Sequence, residues 1–303
     1  MTQLDRPALR RPRKSKPWTM QRLLIVLVAL GGITLLLYPT AASWFSDRAH
    51  ATEISGYGEM TAARDDGEID SMIQEAKAFN AALPGGPIRD PYVLNANGRQ
   101  TSIGPGSQEY KELLGMGDDG MIGRISIPAI NAQLPIFHGT GDDTLAKGVG
   151  HLFGSALPVG GESTHSVMTA HSGYVNSTLF DDLKKVAIGD VFNITVLNQT
   201  IYYKVDQILT VLPDETDDLR KANGKDYVTL ITCTPTGVNT HRLLVRGERI
   251  EAPGEESEQA QVMAANAVDP GFPWWALAIA GAGLGSVLVT RPRRPGRLRA
   301  PVA

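Results

Sequence analysis

Read for hydrophobic and polar positions, the chain has three textures. Residues 23–45 contain no charged side chain and are mostly apolar, and a second uncharged run follows at 272–290. Each is read as a membrane span, because about 20 apolar residues suffice to cross the hydrocarbon core of a bilayer. Between them, residues 64–83 place Ile69, Met72, Ile73, Ala76 and Phe79 at offsets of three and four, which predicts an amphipathic helix stopped by Pro84-Gly85-Gly86-Pro87. Residues 88–116 are rich in Gly, Pro, Asn and Ser without periodicity and read as a long surface segment. The texture then changes to short β-type runs at 121–127, 133–137, 166–170, 191–197, 201–212, 227–232 and 241–250, broken by one short helix near 179–185. Seven or eight short strands with turn signals predict an all-β domain, a closed barrel or a sandwich.

Charge orients the two spans. Arg6, Arg10, Arg11, Arg13, Lys14, Lys16 and Arg22 precede the first, and Arg291, Arg293, Arg294, Arg297 and Arg299 follow the second, with Trp274 and Trp275 at its start. Positive residues favour the cytoplasmic side and Trp the interface, so both termini are expected in the cytoplasm and the middle of the chain outside. A basic head and Ala41-Ala42-Ser43 also fit a cleaved signal peptide, but the apolar stretch exceeds a usual signal core and reads as a retained anchor. Setting aside those twelve cations and Asp5 leaves 17 basic and 31 acidic residues, a net charge near −14 for the outer part. That balance argues against a nucleic-acid partner, which needs a basic footprint.

The chain has one cysteine, Cys233, so no internal disulfide supports this outer domain. An isolated cysteine is ordinarily a small buried hydrophobe. Here it closes the run Tyr227 to Thr232 and is followed by Thr234-Pro235-Thr236-Gly237 and a basic strand, surroundings suited to a reactive thiol. A thiol of pKa about 8.5 needs an imidazole or a cation beside it to react as thiolate at neutral pH. Of six histidines, His50 lies near the membrane, and His138, His151 and His165 occupy loop or strand-entry contexts. His171 ends the strand Ser166 to Ala170, and a strand-end histidine can meet a strand-end cysteine at one rim. His241 is the rival by proximity, but side chains alternate along a strand, so it faces opposite to Arg242. Arg242 and Arg246 share a face and both remain candidates. No third ligand at a recognisable spacing accompanies His165 and His171, so no metal site is expected.

The segment LITCTPTGVNTHRLLVRG resembles the TLxTC signature of sortases. With GVGHLFGSALPVGGESTHSVMTAHSG at 148–173 it is similar to the class C, pilus-assembling group, and the likeness covers residues 60–250 and the two-span layout. The resemblance implies the eight-stranded sortase β-barrel with short helices, flanked by N- and C-terminal transmembrane helices. It also implies a cysteine transpeptidase without metal or organic cofactor. Cys233 would attack the threonyl carbonyl of an LPxTG-like sorting signal, and a pilin lysine amine would resolve the thioacyl enzyme. His171 matches the family's catalytic histidine and Arg242 its arginine, which selects between the open candidates by analogy. Asp90-Pro91-Tyr92 resembles the class C lid, with Tyr where Trp or Phe is more usual.

On this reading the chain divides into a basic cytoplasmic tail (1–22), a span (23–45), a juxtamembrane helix and lid segment (46–120), the catalytic barrel (121–250), an acidic linker (251–271), a span (272–290) and a second basic tail (291–303). Three other functions stay in view: a housekeeping sortase that joins proteins to a cell-wall precursor, a hydrolytic cysteine peptidase, and a tethered β-barrel binding module with an inert Cys233.

Overall fold

The computed structural model describes residues 20–84, 107–117, 120–252 and 269–291. It contains two compact units, Ala42–Gly271 and the flanking segments on either side. The flanking unit holds the first part of helix α1 (Met20–Ala62) and helix α5 (Trp274–Thr290). α1 is long and apolar enough to cross a membrane, and α5 is an apolar helix of 17 residues.

In the larger unit eight strands form a closed barrel: β1 (Met121–Ile127), β2 (Ala132–His138), β3 (Val149–His151), β4 (Thr164–Thr169), β5 (Val191–Val196), β6 (Gln199–Val211), β7 (Asp226–Thr234) and β8 (His241–Ile250). Around the barrel their order is β1-β2-β3-β4-β7-β8-β6-β5. All seven expected strands are present, and Leu183–Lys185 forms the expected short helix as one 3₁₀ turn. The additional strand is β3. It has three residues with Gly150 at its centre, where a Cβ would lie 2.4 Å from the Gly139 carbonyl oxygen. So short a run, with glycine where another backbone approaches, carries no alternation to read.

Alternation sorts the strands into two faces. Met168, Val228, Leu230, Leu243 and Val245 point into the main core. Val167, Ile231 and Leu244 point outward, where Leu152 and Leu219 cover them in a second apolar cluster. β7 is therefore buried on both faces, which is why residues 227–232 read as an almost unbroken apolar run.

Helices fill in around the barrel, the single turn α4 (Asp142–Leu145) preceding β3. α2 (Asp66–Ala82) is the expected amphipathic helix, capped by the Asp65 carboxylate accepting the Gly67 N–H at 2.8 Å. Its buried Asn80 donates to the Leu157 carbonyl at 2.9 Å and accepts the Leu157 N–H at 2.7 Å. The described part of the expected surface segment differs from that reading. Ser107–Glu112 forms helix α3, and Tyr110, Leu114 and Met116 are fully buried. The Tyr110 phenol accepts the Gly139 N–H at 3.1 Å and bonds His151 Nδ1 at 2.8 Å, while His151 Nε2 meets the Ala156 carbonyl at 2.8 Å. Three apolar anchors in ten residues are too few to show periodicity, so the sequence reads as loop. Tyr110→Phe should leave the buried Gly139 N–H unpaired and lower unfolding stability by about 1–3 kcal/mol, measurable by chemical denaturation.

Burial pushes His151 down to about 3 and His138 to about 4. Both fold as neutral imidazoles, so the unfolded chain binds more protons below its histidine pKa near 6.5. Stability is then fully present above about pH 6.5 and declines as pH falls toward those two values. Unfolding midpoints measured across that window should show the slope, reduced in His138→Gln.

Candidate active site

β4 and β7 run parallel, with Thr169 beside Ile231, so both strands end at the same pole of the barrel. The ladder continues past the last paired residues. The Ala170 N–H donates to the Ile231 carbonyl at 3.3 Å, the Thr232 hydroxyl donates to the Ala170 carbonyl at 2.8 Å, and the Ser172 hydroxyl donates to the Cys233 carbonyl at 2.8 Å. His171 is thereby pinned between two residues bonded to Thr232 and Cys233. On the other side of β7, antiparallel pairing sets Cys233 directly opposite Arg242. Opposed residues of an antiparallel pair share a face. Cys233 and Arg242 thus extend the outward file of Ile231 and Leu244, at the edge of the second apolar cluster.

The Cys233 side of the site ends in a tight turn. Strand β7 stops at Thr234, and the Val238 and Asn239 N–H groups both donate to the Pro235 carbonyl, at 3.0 and 2.9 Å. Gly237 and Asn239 take left-handed conformations, as a Gly and an Asn readily do. Arg242 is 9% exposed, and its Nη1 donates to the Asn239 and His241 carbonyls, both at 3.2 Å. Its guanidinium is thus held by the turn that follows the cysteine.

The His171 side is a folded loop. The His171 carbonyl accepts the Phe180 N–H at 3.0 Å, and the Asp181 carboxylate accepts the Gly173 N–H. The imidazole stacks on the Tyr174 ring, centroids 5.5 Å apart and planes 18° apart. Burial holds His171 below the ordinary histidine value, and the negative charge of Asp142 opposes that shift. Gly173 joins the loop to the turn: its φ is 76°, and a Cβ there would lie 2.7 Å from Thr236 Cγ2. Gly173→Ala should strain the backbone and push these loops apart, so that turnover falls well below wild type while the barrel unfolds at a similar denaturant concentration.

The other candidates have these partners. Arg246 is engaged elsewhere, its Nε and Nη2 on the Asp206 carboxylate at 3.1 and 2.7 Å and its guanidinium 4.3 Å from the Tyr227 ring centre. His241 pairs with Thr234 and bonds its neighbour Thr240 at 2.9 Å. His165 bridges the Arg220 carbonyl and the Thr229 hydroxyl, and His50 bonds the Lys147 carbonyl. Ser172, Tyr174, Asp181 and Asp142 were not singled out by sequence reasoning. An aromatic three residues past the histidine, across a glycine, is the one signal that points to any of them. Asp90, Pro91 and Tyr92 lie outside the described residues. Among the described residues no group of three or more His, Cys, Asp or Glu is placed to hold a metal ion.

Known proteins share this fold. A sortase domain model matches residues 125–250. Sortase C-1 from Actinomyces oris superposes with a TM-score of 0.57 at 49% identity, over 61% of this chain and 99% of that one. Streptococcus pneumoniae sortase C superposes with a TM-score of 0.61 at 41% identity, over 66% of this chain and 97% of that one. Sortase A of Streptococcus agalactiae is 31% identical over 45% of this chain, a match spanning only 56% of its own length. A closed eight-stranded barrel carrying a lone cysteine opposite an arginine, with these relatives, places the chain in the sortase family of cysteine transpeptidases.

Proposed function

We propose that this chain is a membrane-anchored transpeptidase that cleaves an LPxTG-like sorting signal and joins the acyl product to a lysine amine of a pilin subunit. The observation that carries it is the meeting of Cys233, Arg242 and the His171 loop at one barrel pole. The pilus class rests on similar solved structures, among them sortase C enzymes at 38–49% identity, one described as pilus-related.

The proposed chemistry starts from a Cys233 thiolate beside a His171 imidazolium. Sγ attacks the threonyl carbonyl, and the developing oxyanion or the substrate backbone is held by the Arg242 guanidinium. As the tetrahedral species collapses, the C–N bond breaks and His171 gives its proton to the departing glycine amine. The lysine amine then attacks the thioester carbonyl, returns a proton to His171 and releases the Cys233 thiolate. The test is product analysis: a sorting peptide with an acceptor amine should give the amide, whereas hydrolysis alone would mark a peptidase. Polymers formed from a pilin with a reactive lysine would separate the pilus class from a housekeeping enzyme.

Asp142→Asn bears on the imidazole. Removing the charge that opposes the effect of burial lowers the His171 value further, so the imidazolium is lost at lower pH. The alkaline limb of the pH–rate profile should move toward acid, measured as kcat/KM against pH.

The lid assignment of Asp90, Pro91 and Tyr92 belongs to the same proposal. Asp90→Ala with Tyr92→Ala should speed labelling of Cys233 by a thiol reagent, and an unchanged rate would remove the lid. For the membrane we propose spans at 23–45 and 272–290, both termini cytoplasmic and the barrel outside. The 17 residues of α5 reach about 26 Å, and Phe272 and Pro273 before it add to the apolar run.

A further inference from the structure

Within the larger unit the chain enters and leaves at one pole of the barrel. The chain enters the larger unit at Ala42, and close to this entry the Ser46 hydroxyl of α1 donates to the Ser177 hydroxyl at 2.9 Å. Ser177 belongs to the loop that begins at His171. One turn later His50 Nε2 bonds the Lys147 carbonyl at 2.8 Å. The Tyr57 phenol then donates to the Ile122 carbonyl at 2.9 Å and accepts the Leu197 N–H at 2.8 Å. Ile122 opens β1, and Leu197 follows β5 directly, both at the pole opposite the ends of β4 and β7. Eleven residues of helix cover about 16 Å, so this segment descends the barrel wall from the His171 pole to the far pole.

The exit lies at the same end as the entry. β8 finishes at Ile250, at the far pole, yet Gly271 is back beside the entry, its carbonyl accepting the Trp44 indole N–H at 2.9 Å. The surface is divided likewise. Val175 in the His171 loop, Val238 in the turn after Cys233, Leu212 at the end of β6 and Phe45 at the entry are all large exposed apolar side chains. The far pole instead carries Lys225 paired with Glu248 at 2.6 Å, and Arg249 paired with Asp226 at 3.2 Å.

Resting on the anchored reading above, we propose that the active-site pole faces the membrane, with Val175 and Val238 dipping into the lipid headgroup layer on either side of Cys233. Entry, exit and an apolar rim coincide at this pole, an arrangement suited to a bilayer interface, where apolar and aromatic side chains flanked by polar backbone are favourably placed. The site then opens toward polypeptides held in the same membrane. A cleavable segment close to its own anchor reaches Cys233, and one far from an anchor must fold back to do so.

The test uses the full-length chain carrying Cys233→Ala and a single new cysteine at Val175, Val238, Asn198 or Leu35, labelled with an environment-sensitive fluorophore. Each protein is placed in vesicles of phosphatidylcholine and phosphatidylglycerol containing lipid-borne nitroxide quenchers. Asn198 is the exposed far-pole reference and Leu35 lies in the first span. The expected result is loss of fluorescence at 175 and 238 with a headgroup nitroxide, loss at 35 with a deep acyl nitroxide, and none at 198. Retention at 175 and 238 with loss at 35 would overturn the orientation and leave the anchor standing. Equal loss at 198 and 175 would overturn it as well. Retention at 35 would overturn the anchor, and the orientation with it.

Discussion

Cys233→Ala is expected to abolish peptide cleavage and amide formation together, by a factor on the order of 10⁴ or more, because the acyl group has no other atom to rest on. The fold should tolerate it. Cys233 is 8% exposed on the outer face of β7, near the open end of an apolar cluster, so trimming its sulfur costs about 1 kcal/mol. A folded, inactive variant by circular dichroism and peptide assay is the expected result. Intact transfer in that variant would instead support a binding module whose cysteine is inert.

Arg242→Lys is the second large effect, expected to lower kcat on the order of 10²–10³-fold with little change in stability. The substitution keeps the charge and removes the planar fork. In the native site Nη1 is held by the Asn239 and His241 carbonyls, which sets the orientation of the guanidinium on the strand position opposite Cys233. A lysine ammonium is a mobile point charge and reproduces neither the anchoring nor the direction. Arg246→Lys provides the contrast. Arg246 serves Asp206 and the Tyr227 ring, so its replacement should cost at most about 1 kcal/mol of stability and leave turnover unchanged. If the two arginine variants lost activity equally, Arg242 would have no special role.

The strands were legible because their alternation is strong, and residues 227–232 carried the reason for their own exception, being buried on both faces. The neighbourhood of the site was legible in part for a topological reason. His171 and Cys233 each follow a short apolar run, and two parallel neighbouring strands end at one pole. The choice of Arg242 over Arg246 was beyond spacing, since both lie on one face; the partners Asp206 and Tyr227 that occupy Arg246 come from β6 and β7. Tyr110 and His151 were illegible for the same cause, a buried polar pair contributed by elements 41 residues apart. The descent of α1 along the barrel also left no trace in the pattern, because in helix 42–62 only Ile54 and Tyr57 join the main core, and Ser46, His50 and Tyr57 fasten it through hydrogen bonds to residues distant in sequence.

The most direct test of the central claim is mass spectrometry of the full-length protein after brief incubation with an LPxTG-type peptide and no acceptor amine. Nucleophilic catalysis by Cys233 predicts an acyl adduct on that residue, labile to hydroxylamine and absent from Cys233→Ala, that converts to amide when a lysine-containing pilin peptide is added. Cleavage of the peptide without any adduct on Cys233, or with undiminished cleavage by Cys233→Ala, would contradict it.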